Sequence, residues 1–379
     1  GIGDFYYAPA SGFLALCTSN LPDPVETIDP NKGGSPQDYF NTVIYSGNGS
    51  TNAITGVGFQ PDWIWFKRRD EAAGHALNDS VRGVTKSLCS NDTAGEETSD
   101  AGDDLVSFDS DGFTLGPTHI RNSYNVSGGS LVAWNWKAGT SFSNDASSTS
   151  VGTIDSAGSV NTDVGFSIIS YTGVSADATV AHGLGVAPDF IIAKIRSNGG
   201  GEGWPVFHRS MGVDEKYLDK TNGQTDGTVW NDTLPTSSVF SVNGNDWTNK
   251  NGSTMIAYCF AEVDGYSKFG TYTGNNNADG PFVYTGFRPA FVMISDTTVA
   301  GQWVIYDSKR DNINFAYKAI FANTSGAEST NTALGNIDFL SNGFKYRDNS
   351  NDVHAGQVDG ATPIYMAFAE QPFKYANAR

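Results

Sequence analysis

Apolar residues along this chain fall in runs of strand length, separated by clusters of Gly, Ser, Thr, Asn and Asp. No stretch keeps apolar positions at helical spacing between recognisable caps, so the pattern predicts antiparallel strands joined by turns. Short helical turns are expected only in loops, around residues 79–90, 209–220 and 309–322.

The pattern repeats three times. An aromatic turn marks each copy at Tyr45-Ser46-Gly47, Tyr171-Thr172-Gly173 and Tyr272-Thr273-Gly274. A Pro step follows at Pro61, Pro188 and Pro289, leading into Trp63-Ile64-Trp65-Phe66, Phe190-Ile191-Ile192-Ala193 and Phe291-Val292-Met293-Ile294. Each reads as a core strand entered through a Pro turn. Phe108-Asp109-Ser110-Asp111-Gly112, Phe240-Ser241-Val242-Asn243-Gly244 and Phe339-Leu340-Ser341-Asn342-Gly343 read as hairpins whose glycine supplies a positive φ. Ala133-Trp134-Asn135-Trp136, Ala257-Tyr258-Cys259-Phe260 and Met366-Ala367-Phe368 close the copies. The expectation is an all-β chain of three tandem antiparallel β-sandwich domains, each cored by its own two inner faces. They span 40–139, 166–265 and 266–379, with a Ser/Gly/Thr-rich linker or hairpin at 140–165. Residues 1–39 form an N-terminal segment and connector, read as the end of a missing upstream domain because the chain starts without an initiator Met.

Composition narrows the partners. Against 23 basic residues stand 41 acidic ones, for a formal charge of -18. Such a surface repels nucleic-acid phosphates and anionic lipid. Nothing in the chain is long and apolar enough to insert in a membrane as a helix. Cys17, Cys89 and Cys259 are too few and too scattered for a disulfide framework and read as small buried hydrophobes.

A repeat also tests candidate chemistry, since a catalytic group used in every copy should recur. Alignment of the segment after the Pro strand sets His208 against Asp79 and Asp307, and a general base would not exchange in this way. His75, His119, His182, His208 and His354 are dispersed and belong to no HxH, HExxH or GxSxG arrangement. Asp103, Asp104, Asp109 and Asp111 suggest an oxygen-rich calcium site, but no Glu follows at the twelfth position, and an Asp-Gly hairpin accounts for the pair. Lys67-Arg68-Arg69-Asp70 reads as a solvated loop. Gly199–Gly203 lacks the Lys-Ser/Thr step of a P-loop and reads as a hairpin tip. Trp63, Trp134, Trp136 and Trp303 occupy repeated strand positions and should be buried, whereas Trp230 and Trp247 lie in polar surroundings and should be exposed. The Asn-x-Ser/Thr triplets at Asn48, Asn78, Asn91, Asn125, Asn231, Asn251 and Asn323 carry no weight in so polar a chain. No catalytic residue, metal ligand or cofactor is assigned, and ligand-binding residues stay unassigned.

Several of these words together, notably Gly58-Phe59-Gln60-Pro61-Asp62-Trp63-Ile64-Trp65-Phe66-Lys67, Gly280-Pro281-Phe282-Val283-Tyr284-Thr285-Gly286-Phe287-Arg288-Pro289 and Pro372-Phe373-Lys374-Tyr375-Ala376-Asn377-Ala378-Arg379, resemble the C-terminal repeat region of tail-fibre-like virion proteins of marine tailed bacteriophages. In such proteins a SPRY-like or lectin-like sandwich often comes first. The resemblance implies a non-enzymatic structural protein on the exterior of the particle, a tail or surface fibre shaped as a rod of sandwiches. It also implies contact with other virion proteins and with host glycan or protein, and a homo-oligomer, commonly a trimer. It brings no catalytic residues. A polysaccharide-degrading tail protein, which would need paired carboxylates about 5–10 Å apart, and a decoration protein that binds nothing on the host are the alternatives.

Overall fold

The computed structural model describes residues 17–117, 124–197, 200–332, 335–347 and 358–376. Strands entered near Pro61, Pro188 and Pro289 each sit inside a large antiparallel sheet, hydrogen-bonded on both edges. The first sheet runs Phe40–Ser46, Ser130–Trp136, Trp63–Arg68, Ala76–Asp79. In the second, Phe166–Thr172, Thr254–Phe260, Phe190–Ile195 and Pro205–His208 take the same order, and in the third Ser267–Thr271, Pro363–Pro372, Phe287–Asp296 and Val304–Asp307 do so. Register fixes the equivalences: Trp63 faces Asp79, Phe190 faces His208, and Phe291 faces Asp307. Smaller antiparallel sheets accompany them: Asn52–Thr55 with Gly112–Leu115 and Leu105–Asp109, Ala178–Ala181 with Val239–Val242, and Phe282–Tyr284 with Gly343–Tyr346 and Ile337–Leu340.

Side chains alternate across a strand, so an uninterrupted apolar run has to be covered on both faces. In the first sheet Ile64 and Phe66 join Ile54, Leu105 and Phe113 of the small sheet in one buried cluster. Ile191 and Ala193 do the same with Val180 and Phe240, and Val292 and Ile294 with Val283 and Phe344. The opposite faces carry Trp63 and Trp65, Phe190 and Ile192, Phe291 and Met293, and all of these belong to a single fourth cluster.

That cluster is the finding the sequence pattern did not anticipate. Trp63 stacks on Tyr258 at 4.5 Å, Phe40 on Phe368 at 5.1 Å, and Phe260 meets Phe368 edge-on at 5.8 Å, so aromatic contacts join each sheet to both others. The three large sheets therefore back onto one shared interior and do not follow one another as beads on a rod. Aromatic pairs of this kind contribute about 0.5–1.5 kcal/mol each beyond their area.

Local structure departs from expectation in three places. Of the helical windows, only Arg209–Met211 forms a 3-10 turn; in the others Lys86–Ser87 and Ile320–Phe321 pair as short strands because their neighbours face the interior. The two α-helices among the described residues lie at Ala146–Thr149 and Asp246–Asn249 instead. Val239–Val242 pairs with Ala178–Ala181 and opens no hairpin, because Asn245 caps the helix that follows by accepting from the Trp247 N–H. A positive φ is found at Gly112, whereas the equivalent Gly244 and Gly343 do not adopt it. Residues 140–165 form the hairpin Thr140–Asn144 and Ser156–Asn161, which extends the second sheet beyond Phe166–Thr172. No helix among the described residues is long and apolar enough to cross a membrane.

Candidate functional site

The ionisable groups concentrate where the large sheets meet, at three seams built from equivalent positions. Beside each strand partner of the Pro strand the chain turns so that the residue three places on folds back. At the seam between the first and second sheets, the Arg82 guanidinium pairs with Asp79 and donates to the Leu77 carbonyl, and both side chains are buried. Tyr258 of the second sheet donates its hydroxyl to Asp79 Oδ2 at 2.7 Å. Glu96 then receives Arg196 through two bonds of 2.8 and 3.2 Å, and accepts Arg82 Nη1 at 3.4 Å.

The seam between the third and first sheets repeats this arrangement. Arg310 pairs with Asp307, Trp134 Nε1 of the first sheet donates to Asp307 Oδ2 at 3.0 Å, and Glu328 receives Arg69 through two bonds of 2.9 Å and Arg310 at 3.0 Å. Burial alone would raise the Glu328 carboxyl, but Arg69 and Arg310 hold it below the ordinary range. Buried ion pairs persist only when every member is engaged, as here.

The seam between the second and third sheets keeps the geometry and drops the charge. At the four positions stand His208, Met211, Gln224 and Thr297 in place of Asp, Arg, Glu and Arg. Backbone hydrogen bonds show that the positions correspond: Glu96 N–H donates to the Arg196 carbonyl, Glu328 N–H to Arg69, and Gln224 N–H to Thr297, at 2.8, 2.9 and 2.7 Å. The partner strand explains the change. Tyr258 and Trp134 present an O–H and an N–H to a carboxylate, whereas the equivalent Met366 has no proton to give. His208 instead donates from Nε2 to the Tyr365 carbonyl at 3.3 Å, with Nδ1 accepting from the Ser210 N–H. Burial holds this imidazole neutral, lowering its pKa to about 4.

A second ring of contacts runs the same way round. Trp204 Nε1 donates to the Cys89 carbonyl at 2.9 Å, Trp303 Nε1 to Tyr217 at 2.9 Å, and His75 Nε2 to Phe321 at 3.0 Å, all from equivalent positions to equivalent positions. Ammonium groups sit beside the two indoles. Lys194 lies over Trp204 and Lys216 over Trp303, while Lys67 donates to the carbonyls of Ala73 and Ser325 near His75. Burial lowers all three lysines to about 8.

These placements revise several expectations. The Lys67-Arg68-Arg69 segment is no solvated loop: Lys67 is buried, Arg69 pairs with Glu328 and Arg68 with Asp70 and Glu71. Trp230 is buried, packed edge-on against Phe207 and Phe240, so its polar sequence neighbours misled. Trp247 is half-buried, with Lys220 4.3 Å from its ring centroid and from that of Tyr217. Trp63, Trp134, Trp136 and Trp303 are all buried. Asp111 accepts from the Gly56 and Gly58 N–H groups, and Asp109 accepts from Ser107 and Thr114, which commits both to the hairpin. Among the described residues no group of His, Cys, Asp and Glu is arranged to hold a metal ion. His119 and His354 lie outside the described residues, as do residues 198–199 of the glycine-rich tip and its neighbour. His182 is buried, its Nδ1 accepting from Leu184 and its Nε2 donating to Thr236.

The surface also offers open polar grooves. One of about 740 Å³ at the uncharged seam is lined by Tyr217, Asp219, Lys220, Asn222, Gln302 and Asn323. A family model described as a domain of unknown function (DUF7483) matches residues 35–372. The chain belongs to that family. The matched span takes in all three large sheets and every seam, so the shared interior is a property of the DUF7483 region itself. No curated protein and no solved structure matches the chain.

Proposed function

We propose that the chain is a non-enzymatic component of a bacteriophage virion, carried on the exterior of the particle as part of a tail or surface fibre that attaches to the host. In this reading it consists of three tandem copies of one β-sandwich, folded back on each other into a rigid head that holds loops and grooves toward host glycan or protein. The virion assignment rests on the resemblance of the repeated words to marine phage tail-fibre-like proteins.

One observation carries the scaffold reading. Asp79, Arg82, Glu96 and Arg196 on one side, and Asp307, Arg310, Glu328 and Arg69 on the other, bond to one another and to backbone, so the buried charges serve to join the sheets. Binding function on such a scaffold falls to its loops and grooves. With the aromatic faces covered within one chain, a homotrimer is not needed to bury them.

Purified protein incubated with isolated host-surface polysaccharide tests the reading. Retention without chain shortening supports it. Chain shortening favours a polysaccharide-degrading tail protein, and neither retention nor shortening favours a decoration role. Gold-labelled antibody against the chain should decorate the outside of intact particles; labelling only after particle disruption would contradict the exterior assignment.

A further inference from the structure

One extended segment closes the flank of the second copy, where its small and large sheets both end. Thr153 and Ile154 donate their N–H groups to the Thr179 carbonyl at 2.8 and 3.2 Å, and the Thr179 N–H donates to Thr153 Oγ1 at 2.8 Å. The Ser156 hydroxyl donates to the Ala181 carbonyl at 2.9 Å. Ile154 lies parallel to Val180, and its side chain joins the buried cluster of that copy. Ser156–Asn161 then pairs with Phe166–Thr172 at the edge of the large sheet. Before the third copy the chain passes from Phe260 to Ser267 without such a segment.

The same two edges are open in the third copy. Ser267–Thr271 and Phe282–Tyr284 are the outermost strands of their sheets, and Phe269 and Thr271 stand where Ile168 and Ser170 meet Ser159 and Ala157 in the second. Tyr346 N–H donates to the Pro281 carbonyl and Thr285 N–H to that of Asn342, at 3.2 and 3.0 Å, so the inward-facing Val283 bonds the neighbouring strand. The amides and carbonyls of Phe282 and Tyr284 therefore point away from that strand. The His182 N–H bond to Ser238 at 3.2 Å gives Val180 the same orientation, which makes Thr179 the counterpart of Phe282 and Ala181 that of Tyr284. The backbone groups that hold residues 153–156 in the second copy have no partner among the described residues in the third.

From this comparison we infer that the flank of the third copy takes up an extended segment of another polypeptide chain by strand addition. Such recognition draws affinity from main-chain bonds and selectivity from the side chains beside the edge. The side chains here suit it. The first copy presents Ala53 and Thr55 along its edge strand and the second Thr179 and Ala181, whereas the third presents Phe282 and Tyr284, 45% and 58% exposed. Edge strands are ordinarily blunted by charge or cover, and large exposed rings do the opposite. The ionised groups alongside are already engaged, Lys345 with Asp279 at 2.7 Å and Lys268 with Glu262, so no free charge selects the occupant. The second copy shows its chemistry: a run of small residues with one branched aliphatic side chain turned inward, as in Thr153-Ile154-Asp155-Ser156-Ala157-Gly158. A second copy of the whole chain fits less well, because two molecules of charge -18 repel.

The inference does not rest on the virion assignment. Fluorescence anisotropy of a labelled peptide of residues 150–161, titrated with the full chain, should show saturable binding at one site. N-methylation of the peptide at Thr153 and Ile154 removes the two donors without altering a side chain and should weaken binding about tenfold or more. Phe282→Pro removes the outward N–H and keeps the inward bonds, a change that edge strands tolerate, and should weaken binding as much. Ala53→Pro, the same change on the edge of the first copy, should leave it unaltered. Thermal midpoints measured alongside should stay near that of the parent. Should Phe282→Pro unfold, the double variant Phe282→Thr with Tyr284→Ala, carrying the residues of the second copy, decides by weakening binding about threefold or more. Absence of saturable binding, equal binding of the methylated peptide, or binding insensitive to the changes at 282 would overturn the inference. Sedimentation velocity supplies the remaining arm: a dimer of the parent that Phe282→Pro abolishes would give the edge to a second copy and overturn the peptide as occupant.

Discussion

The Tyr258 hydroxyl donates to Asp79 across the seam between the first and second sheets, joining residues 179 positions apart in the chain. Asp79 also holds Arg82, so one carboxylate serves both sheets. Removal of the hydroxyl in Tyr258→Phe should cost about 1–2 kcal/mol, since the carboxylate keeps its Arg partner. Asp79→Asn leaves the buried guanidinium only the more distant Glu96 as counter-charge and should cost about 3–5 kcal/mol. Denaturant unfolding of the two variants against the parent measures the difference; equal losses would mean that the seam does not depend on the ion pair.

The uncharged seam makes the opposite prediction. His208→Asp sets a carboxylate where no Arg, O–H or indole N–H waits, and should destabilise by about 3–5 kcal/mol. Met211→Arg in the same chain supplies the guanidinium found at positions 82 and 310, and the pair should be more stable than the sum of the single losses by about 1–3 kcal/mol. A double-mutant cycle by chemical denaturation reads this coupling directly, and strict additivity would refute the equivalence of the three seams.

Acid should weaken the fold before ordinary carboxylates titrate. His182 and His208 are held at about 4 by burial, and burial also pushes His75 well below its ordinary value near 6.5. The unfolded chain binds a proton on each below about pH 6.5 while the folded chain does not, so stability is full above that pH and declines as pH falls toward 4. His182 and His208 each contribute up to about 3 kcal/mol of loss. Unfolding free energies measured from pH 7 to pH 4.5 should fall steadily, and His208→Gln should remove one share of the slope.

The Trp63-Ile64-Trp65-Phe66 run already carried the sign of burial on both faces, and the repeated Pro strands and closing aromatics located the strands that the structure pairs. What sequence could not supply was the identity of the second cover. Ile64 meets residues of its own copy, while Trp63 meets Tyr258 and Phe260 far along the chain. The exchange of Asp79 and Asp307 for His208 was visible in the alignment. Its cause, a methionine at 366 where the others have Tyr258 and Trp134, depends on a contact between copies that no local pattern encodes. Trp230 was misjudged for the same reason: its neighbours in sequence are polar, and its neighbours in space are Phe207 and Phe240.

Expression of residues 166–265 alone is the most direct test of the shared interior. Cut free, this stretch would expose Phe166, Ile168, Phe190, Ile192, Tyr258 and Phe260 together, a far larger apolar face than a monomer in water tolerates. The fragment should aggregate or lack a cooperative unfolding transition, while the full chain unfolds in a single one. A monomeric fragment that unfolds cooperatively, with stability close to that of the whole, would contradict one interior shared by three sheets.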